Sequence, residues 1–118
     1  MQHPALAVSR AYDFSLWIVN KVEHFPRSLR PLLGDRLINA SLDLLLALVQ
    51  ASFASNKTQL LDSANAQLHS LRYLLRLAKD CKLISLDSYA FAAENCENIG
   101  RMVGGWRKQS LRTPREPL

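Results

Sequence analysis

A row of basic side chains on one predicted helix is the strongest chemical signal in this sequence. The segment Leu68–Lys79 reads LHSLRYLLRLAK, and at helical spacing Arg72, Arg76 and Lys79 follow His69 along one face with no acid among them. Cations on a rigid helix suit the phosphates of a polyanion, and the planar guanidinium of arginine can bind a phosphate through two hydrogen bonds. The row predicts nucleic-acid contact; the plain alternative is a solvated face whose arginine stems cover apolar surface.

Basic residues also cluster at the start of the second predicted helix and near the C-terminus. These groups consist of Arg27, Arg30, Arg36, Arg101, Arg107 and Lys108, with Arg112 and Arg115 beyond them. The formal net charge of the 118-residue chain is +5, which favours acidic partners only weakly. From the residues alone, polyanion binding and a solvated surface are about equally supported.

The sequence has no pattern typical of an enzyme. The three histidines share no metal-ligand spacing: His3, His24 and His69. Glu94 and Glu97 are three residues apart, yet Arg101 follows Glu97 by four residues, which predicts an ordinary helical ion pair. The glycine-rich segment Gly100–Trp106 lacks the lysine and hydroxyl of a phosphate loop. We therefore expect no catalytic residues, no bound metal and no cofactor.

The cysteines and the apolar runs bear on the cellular compartment. Cys81 and Cys96 form no Cys-x-x-Cys pair, and we expect both to be reduced thiols, with Cys96 in the core. The longest apolar run, Leu44–Val49, is far shorter than the roughly 20 residues of a membrane span. The first four residues do not resemble a secretory signal. These features predict a cytoplasmic protein with no membrane partner.

Four helical segments separated by short breakers account for the apolar pattern. They run approximately from Val8 to His24, from Ser28–Pro31 to Phe53, from Thr58 to Lys79 and from Ser85 to Lys108. Phe25-Pro26 ends the first, because a residue before proline avoids the helical conformation. Short connections place long neighbouring helices antiparallel. The sequence thus predicts an all-α, up-down antiparallel four-helix bundle over residues 8–108, with a flexible N-terminus at 1–7 and a basic tail at 109–118.

The second predicted helix carries more apolar surface than a single bundle requires. Its apolar residues cover over half of its circumference: Leu33, Leu37, Ile38, Leu42, Leu44, Leu45, Leu48, Val49 and Phe53. A bundle helix needs an apolar arc of about 100° or somewhat more. Tyr73 and Leu77, with Phe91 and Met102 on the fourth helix, also lie off the core stripes. The surplus predicts homo-oligomerisation, although scattered apolar surface residues are common.

Three spaced segments together resemble the accessory variability determinant (Avd) proteins of diversity-generating retroelements. They read FPRSLRPLLGDRL from Phe25, LRYLLRLA from Leu71 and IGRMVGGW from Ile99, and the similarity covers about Tyr12 to Lys108. The resemblance implies a bundle that assembles as a homopentameric barrel with a basic surface. It also implies a non-enzymatic subunit that binds the retroelement's reverse transcriptase and template RNA, and by extension cDNA or DNA, in support of mutagenic retrohoming.

Within this resemblance the basic residues acquire expected roles. We expect Arg72, Arg76 and Lys79 to contact phosphates. The other nucleic-acid-binding or polymerase-binding candidates are Arg27, Arg30, Arg36, Arg101, Arg107 and Lys108.

A related group of proteins provides the alternative interpretation. Four-helix-bundle proteins encoded in intervening sequences of 23S ribosomal RNA genes are similar in length and helix order, and would imply general RNA binding or a purely structural homo-oligomer. They typically carry Asn-Ile-Ala-Glu-Gly at the end of the second helix, where this chain has Leu48–Ser52, LVQAS. That difference favours the retroelement group, in which an acidic residue is nevertheless common at the position of Gln50.

Overall fold

The computed structural model describes residues 4–112, and this part of the chain is helical with no β-strand. Its elements are α1 (Pro4–Val22), a π-helical turn (Arg30–Gly34), α2 (Asp35–Phe53), α3 (Thr58–Asp80) and α4 (Leu86–Arg112). The four long helices confirm the predicted all-α bundle. Among the described residues, no helix combines the length and apolarity that crossing a membrane would require.

Contacts between the helices establish the up-down order. Between α1 and α2, the Ser15 hydroxyl donates to the Ser41 carbonyl at 3.2 Å. Between α3 and α4, the Arg107 side chain pairs with Asp62, and the Lys79 ammonium lies 4.6 Å from the Tyr89 ring centroid. In each pair early residues of one helix meet late residues of the other, so the neighbours are antiparallel. The α1 and α4 helices also pack together, which closes the bundle.

The predicted core stripe of α3 is buried in the centre of the bundle. Its members are at most 2% exposed: Leu68, Leu71, Leu75 and Ala78. The expected burial of Cys96 is also confirmed. Met102 corrects the sequence interpretation, because it is only 8% exposed and belongs to the core rather than to a surface for self-association. The core face of α4 is wider than the periodicity indicated, since Met102 and Val103 are both buried.

Two helix ends lie outside the bounds predicted from sequence. The α1 helix begins at Pro4 rather than Val8, because proline fits a first helical turn and Ala7 is already buried. The α4 helix continues to Arg112, so residues 109–112 of the predicted tail are helical. The remainder of the predicted termini, residues 1–3 and 113–118, lies outside the described residues.

The connection into α2 is a π-helical turn where the sequence predicted an ordinary helix start. Pro31 has no backbone N–H to donate, and the chain widens so that Gly34 N–H bonds to the Leu29 carbonyl, five residues back, at 3.1 Å. Gly34 also packs tightly on α1: a Cβ there would lie 2.6 Å from Val22 Cγ1. The missing side chain lets the α1 and α2 backbones approach at this end of the bundle.

The connection between α3 and α4 is equally well defined. Lys82 adopts φ 61°, and Leu83 N–H bonds back to the Ala78 carbonyl at 2.9 Å. This is the hydrogen-bond pattern of a Schellman helix end, with lysine in the left-handed position that usually takes glycine. The Ser85 hydroxyl then caps α4 by accepting the Ser88 N–H at 3.0 Å. The turn fixes the α4 backbone beside the basic face of α3.

Candidate nucleic-acid interface

The antiparallel order brings two of the predicted basic clusters to the same end of the bundle. The C-terminal halves of α1 and α3 and the N-terminal halves of α2 and α4 meet there, as the close approach of Gly34 to Val22 and of Lys79 to Tyr89 shows. We call this the basic end. The predicted contacts that lie there are Arg27, Arg30, Arg36, Arg72, Arg76 and Lys79, and Lys21 and Lys82 lie at the same end. The third predicted cluster, in the C-terminal half of α4, lies toward the opposite end.

The basic row of α3 divides into side chains that lean on α4 and side chains that point away. Arg72 and Lys79 contact α4, whereas Arg76 is exposed and has no hydrogen-bond or ion-pair partner within residues 4–112. Arg72 and Arg76 are about 6 Å apart along the helix axis, at 1.5 Å per residue. The row therefore presents cations at helical-turn spacing on a rigid support.

The Arg72 guanidinium lies over the small residues of α4. Its Nη2 is 3.5 Å from the Cys96 carbonyl and 3.1 Å from the point that a Cβ on residue 100 would occupy. Gly100 thereby leaves room for the guanidinium. Burial raises the pKa of the Cys96 thiol to about 11, and the nearby charge of Arg72 opposes that rise. Cys96 is thus a protonated core thiol at neutral pH.

Lys79 is held between an acid and an aromatic ring. Its Nζ lies 3.4 Å from Asp80 Oδ1 and 4.6 Å from the Tyr89 ring centroid, a cation–π arrangement. The side chain remains partly exposed, so the ammonium is positioned and still open to solvent.

His69 and Arg36 line a separate groove between α2 and α3. This open groove of about 830 Å³ also contains Asp35, Asp43 and Tyr73. Arg36 has no hydrogen-bond or ion-pair partner within the described residues, but the two acids reduce the positive potential around it. The structure therefore separates His69 from the cations that lean on α4.

The two arginines of the α1–α2 connection differ in their contacts. Arg30 Nε donates to the Phe25 carbonyl at 3.0 Å and its Nη2 donates to the Glu23 carbonyl at 2.9 Å. These bonds satisfy carbonyls just beyond the end of α1 and carry positive charge to the negative pole of that helix. Arg27 is exposed and makes no such bond in the described part of the chain. Arg27 is therefore the freer of the two to meet a ligand.

The basic residues of α4 are mostly paired. Arg101 binds Glu97 at 3.1 Å, the predicted ion pair, and also contacts Asn98. Arg107 Nε donates to Asp62 Oδ1 at 2.5 Å, and this contact raises the pKa of the arginine. Lys108 is exposed without a partner within residues 4–112. This end of α4 is thus closer to charge balance than the basic end.

The sequence did not predict the pocket that lies between α3 and α4. About 310 Å³ of space is lined by Arg72, Leu75, Tyr89, Ala93 and Glu97. The only signal in the sequence is the spacing of Tyr89, Ala93 and Glu97 along one side of α4.

The described residues contain no group of three or more histidine, cysteine or acidic side chains that could hold a metal ion. The distinctive chemistry of the described surface is its cations, together with the α2–α3 groove and the α3–α4 pocket, each of which combines an aromatic ring with a guanidinium and a carboxylate.

Comparison with known proteins yields one family. A family model described as bAvd-like matches residues 5–110, which is nearly the whole chain. No curated protein matches the sequence.

Proposed function

The chain belongs to the bAvd-like family, and from that premise we propose that it is a non-enzymatic accessory subunit of a diversity-generating retroelement. In this role it binds the retroelement's reverse transcriptase and its template RNA, and by extension cDNA or DNA, in support of mutagenic retrohoming. The observation that carries the proposal is the grouping of Arg27, Arg36 and Arg76 at the basic end, each without an ion-pair partner within residues 4–112. Arginines left unpaired on three separate elements favour binding of a polyanion over a purely stabilising role.

The cations at the basic end are suited to phosphate groups. Arg72, Arg76 and Lys79 share one rigid helix, and a nucleic-acid strand that follows α3 toward its C-terminus would pass each in turn. Arg27 extends the positive surface onto the neighbouring connection, and Arg36 adds a weaker positive site on α2 beside Asp35 and Asp43. These two arginines would meet either more RNA or acidic side chains of the polymerase.

We further propose that the chain assembles as a homopentamer. The α2 helix keeps large apolar side chains at its surface, with Leu46 53% exposed and Phe53 87% exposed. Tyr73 on α3 is 71% exposed. Apolar side chains this exposed on neighbouring helices favour burial between copies of the chain. Light scattering coupled to gel filtration should give a mass near five chains, and a monomer at micromolar concentration would contradict the pentamer.

Co-expression tests the partners. The chain should co-purify with the cognate reverse transcriptase and template RNA, and the triple variant Arg27→Ala, Arg36→Ala, Arg76→Ala should lose the RNA. Arg10→Ala is a control for the loss of one exposed cation, because Arg10 has no partner within residues 4–112, lies toward the opposite end and is not among the predicted contacts. Equal RNA recovery with both folded variants would remove the basic end from RNA binding.

A second function, that of a purely structural homo-oligomer, is favoured by the same exposed apolar residues. It predicts that the purified chain forms the same oligomer but co-purifies with neither the polymerase nor the RNA. A location of the gene inside a ribosomal RNA gene, rather than beside a reverse-transcriptase gene and its template and variable repeats, would also support the 23S intervening-sequence alternative.

A further inference from the structure

The pocket between α3 and α4 has the size and lining of a site for one planar ring system. Its volume of about 310 Å³ lies at the small end of ligand pockets in proteins. Leu75 and Ala93 supply apolar wall, and Tyr89 supplies an aromatic ring. The ligand chemistry that fits is a flat, partly apolar group.

The polar residues of the pocket add a donor and an acceptor. Within residues 4–112, Arg72 donates only from Nη2, in the long contact to the Cys96 carbonyl. Its remaining N–H groups are available to a ligand. Glu97 Oε1 accepts from Arg101, and Oε2 accepts no hydrogen bond within residues 4–112. A ligand that both accepts and donates at its edge satisfies the two side chains together. All four RNA bases have such an edge, because uracil also donates, through its N3–H, and accepts at its carbonyl oxygens.

The surroundings of the pocket match a base that remains attached to its strand. Lys79 lies over the Tyr89 ring, and Arg76 is exposed one turn beyond Arg72 on the same helix. Both cations follow Leu75 on α3, so they can meet phosphates beside the Tyr89 end of the pocket. A strand-borne base fits this charge distribution better than an acidic protein side chain, because Glu97 would repel a carboxylate.

We propose that the α3–α4 pocket binds one unpaired nucleobase of the RNA strand whose phosphates contact Arg76 and Lys79, with Arg72 at the edge of the base. The inference rests on the proposed function and adds a contact to a base. Phosphate contacts hold only the backbone of the strand, so the pocket is where this protein would engage a base itself.

The test fills the pocket without changing any charge. Ala93→Leu places extra bulk in the pocket, while Ala90→Leu, on the same helix and outside the pocket lining, is the matched control. The probes are single-stranded oligocytidine, oligouridine and an abasic strand of equal length. The unsubstituted protein and Ala90→Leu should bind oligocytidine and oligouridine about tenfold more tightly than the abasic strand. Ala93→Leu should bind all three alike, with an unchanged salt dependence.

A second variant and a free nucleotide complete the experiment. Tyr89→Leu removes the ring, retains apolar bulk and should also abolish the preference, which keeps the test decisive if Ala93→Leu fails to fold. In the unsubstituted protein, cytidine monophosphate should shift the Ala93 methyl NMR resonance only weakly. Tighter binding of this mononucleotide than of oligocytidine would overturn the proposal of a strand-borne base.

The remaining outcomes separate the two proposals. If no RNA binds to the unsubstituted protein, the proposed function fails and the pocket inference fails with it. Salt-dependent binding with equal affinity for base-containing and abasic strands would overturn the pocket alone. Ala93→Leu that binds every probe normally but no longer co-purifies with the polymerase would instead assign the pocket to a protein partner.

Discussion

Arg72 occupies space that a side chain at position 100 would need. Its Nη2 lies 3.1 Å from the position of a Cβ on Gly100, whereas a Cβ on Gly104 would have no neighbour within 4 Å. Both glycines lie in α4 and carry the same helix-propensity penalty. Comparing Gly100 with Gly104 therefore separates the intrinsic cost of a helical glycine from the role of Gly100 in positioning Arg72.

Gly104→Ala should raise the free energy of unfolding by up to about 1 kcal/mol, because it removes backbone entropy from the unfolded chain. Gly100→Ala should stabilise less, since the flexible end of Arg72 must move by a few tenths of an ångström. Urea unfolding measures both variants. The Arg72 Nε–H NMR resonance should shift in Gly100→Ala and stay in place in Gly104→Ala; equal spectra would contradict the proposed contact.

Arg30→Ala should destabilise the fold by about 1 to 2 kcal/mol, because it removes two hydrogen bonds to carbonyls at the end of α1. Arg27→Ala is the matched control and should change stability by less than about 0.5 kcal/mol, as expected for an exposed residue without a structural partner. Chemical denaturation distinguishes the two. Similar losses in both variants would mean that the Arg30 bonds contribute nothing specific.

The raised pKa of Cys96 predicts a loss of stability at high pH. Since its pKa is about 11 in the folded chain and 9.0 ordinarily, the native state holds the proton more tightly, and the free energy of unfolding falls as pH rises from 9 to 11. Below pH 9 this stabilisation is fully present. The loss attributable to Cys96 should approach about 2 to 3 kcal/mol above pH 11.

Cys96→Val isolates this effect, because Cys81, the lysines and the tyrosines titrate in both proteins. The unfolding free energy of the unsubstituted protein minus that of Cys96→Val should be constant up to about pH 8 and should fall toward pH 11. A difference that stays constant over the whole range would show that Cys96 ionises normally.

The bundle could be predicted from sequence because its determinants are local. The spacing of Leu68, Leu71 and Leu75 specifies a buried face whatever the neighbouring helices are, and this prediction is confirmed. The π-helical turn was missed because it depends on Pro31 and on the approach of Gly34 to Val22 from another helix. Local patterns do not contain such contacts.

The candidate site was predictable only as a list of cations. Sequence places Arg72 and Arg76 on one face but does not show that Arg72 leans onto Gly100 while Arg76 stays free. Asp62, the partner of Arg107, is 45 residues away in α3, and no sequence pattern predicts that ion pair. The packing of the helices determines which arginines bond within the chain. Arginines that do so are weaker candidates for contact with a ligand.

In the proposed complex, cations of α3 neutralise RNA phosphates. Binding would then release counterions, and the logarithm of the affinity should fall linearly with the logarithm of the salt concentration, with a slope of roughly 0.7 per phosphate for a single strand. Replacing both Arg72 and Arg76 by lysine should preserve most of this slope if charge alone matters. A loss in the lysine variant would instead indicate bidentate arginine contacts.

The most direct measurement is therefore the salt dependence of RNA binding by the Arg72→Ala, Arg76→Ala variant. Both side chains lie outside the buried stripe of α3, so the variant should remain folded with at most a small loss of stability. Its slope should fall by roughly one to two for each protomer engaged. An unchanged slope in a folded variant of unchanged oligomeric mass would contradict phosphate binding by these arginines and show that this face of α3 is only solvated.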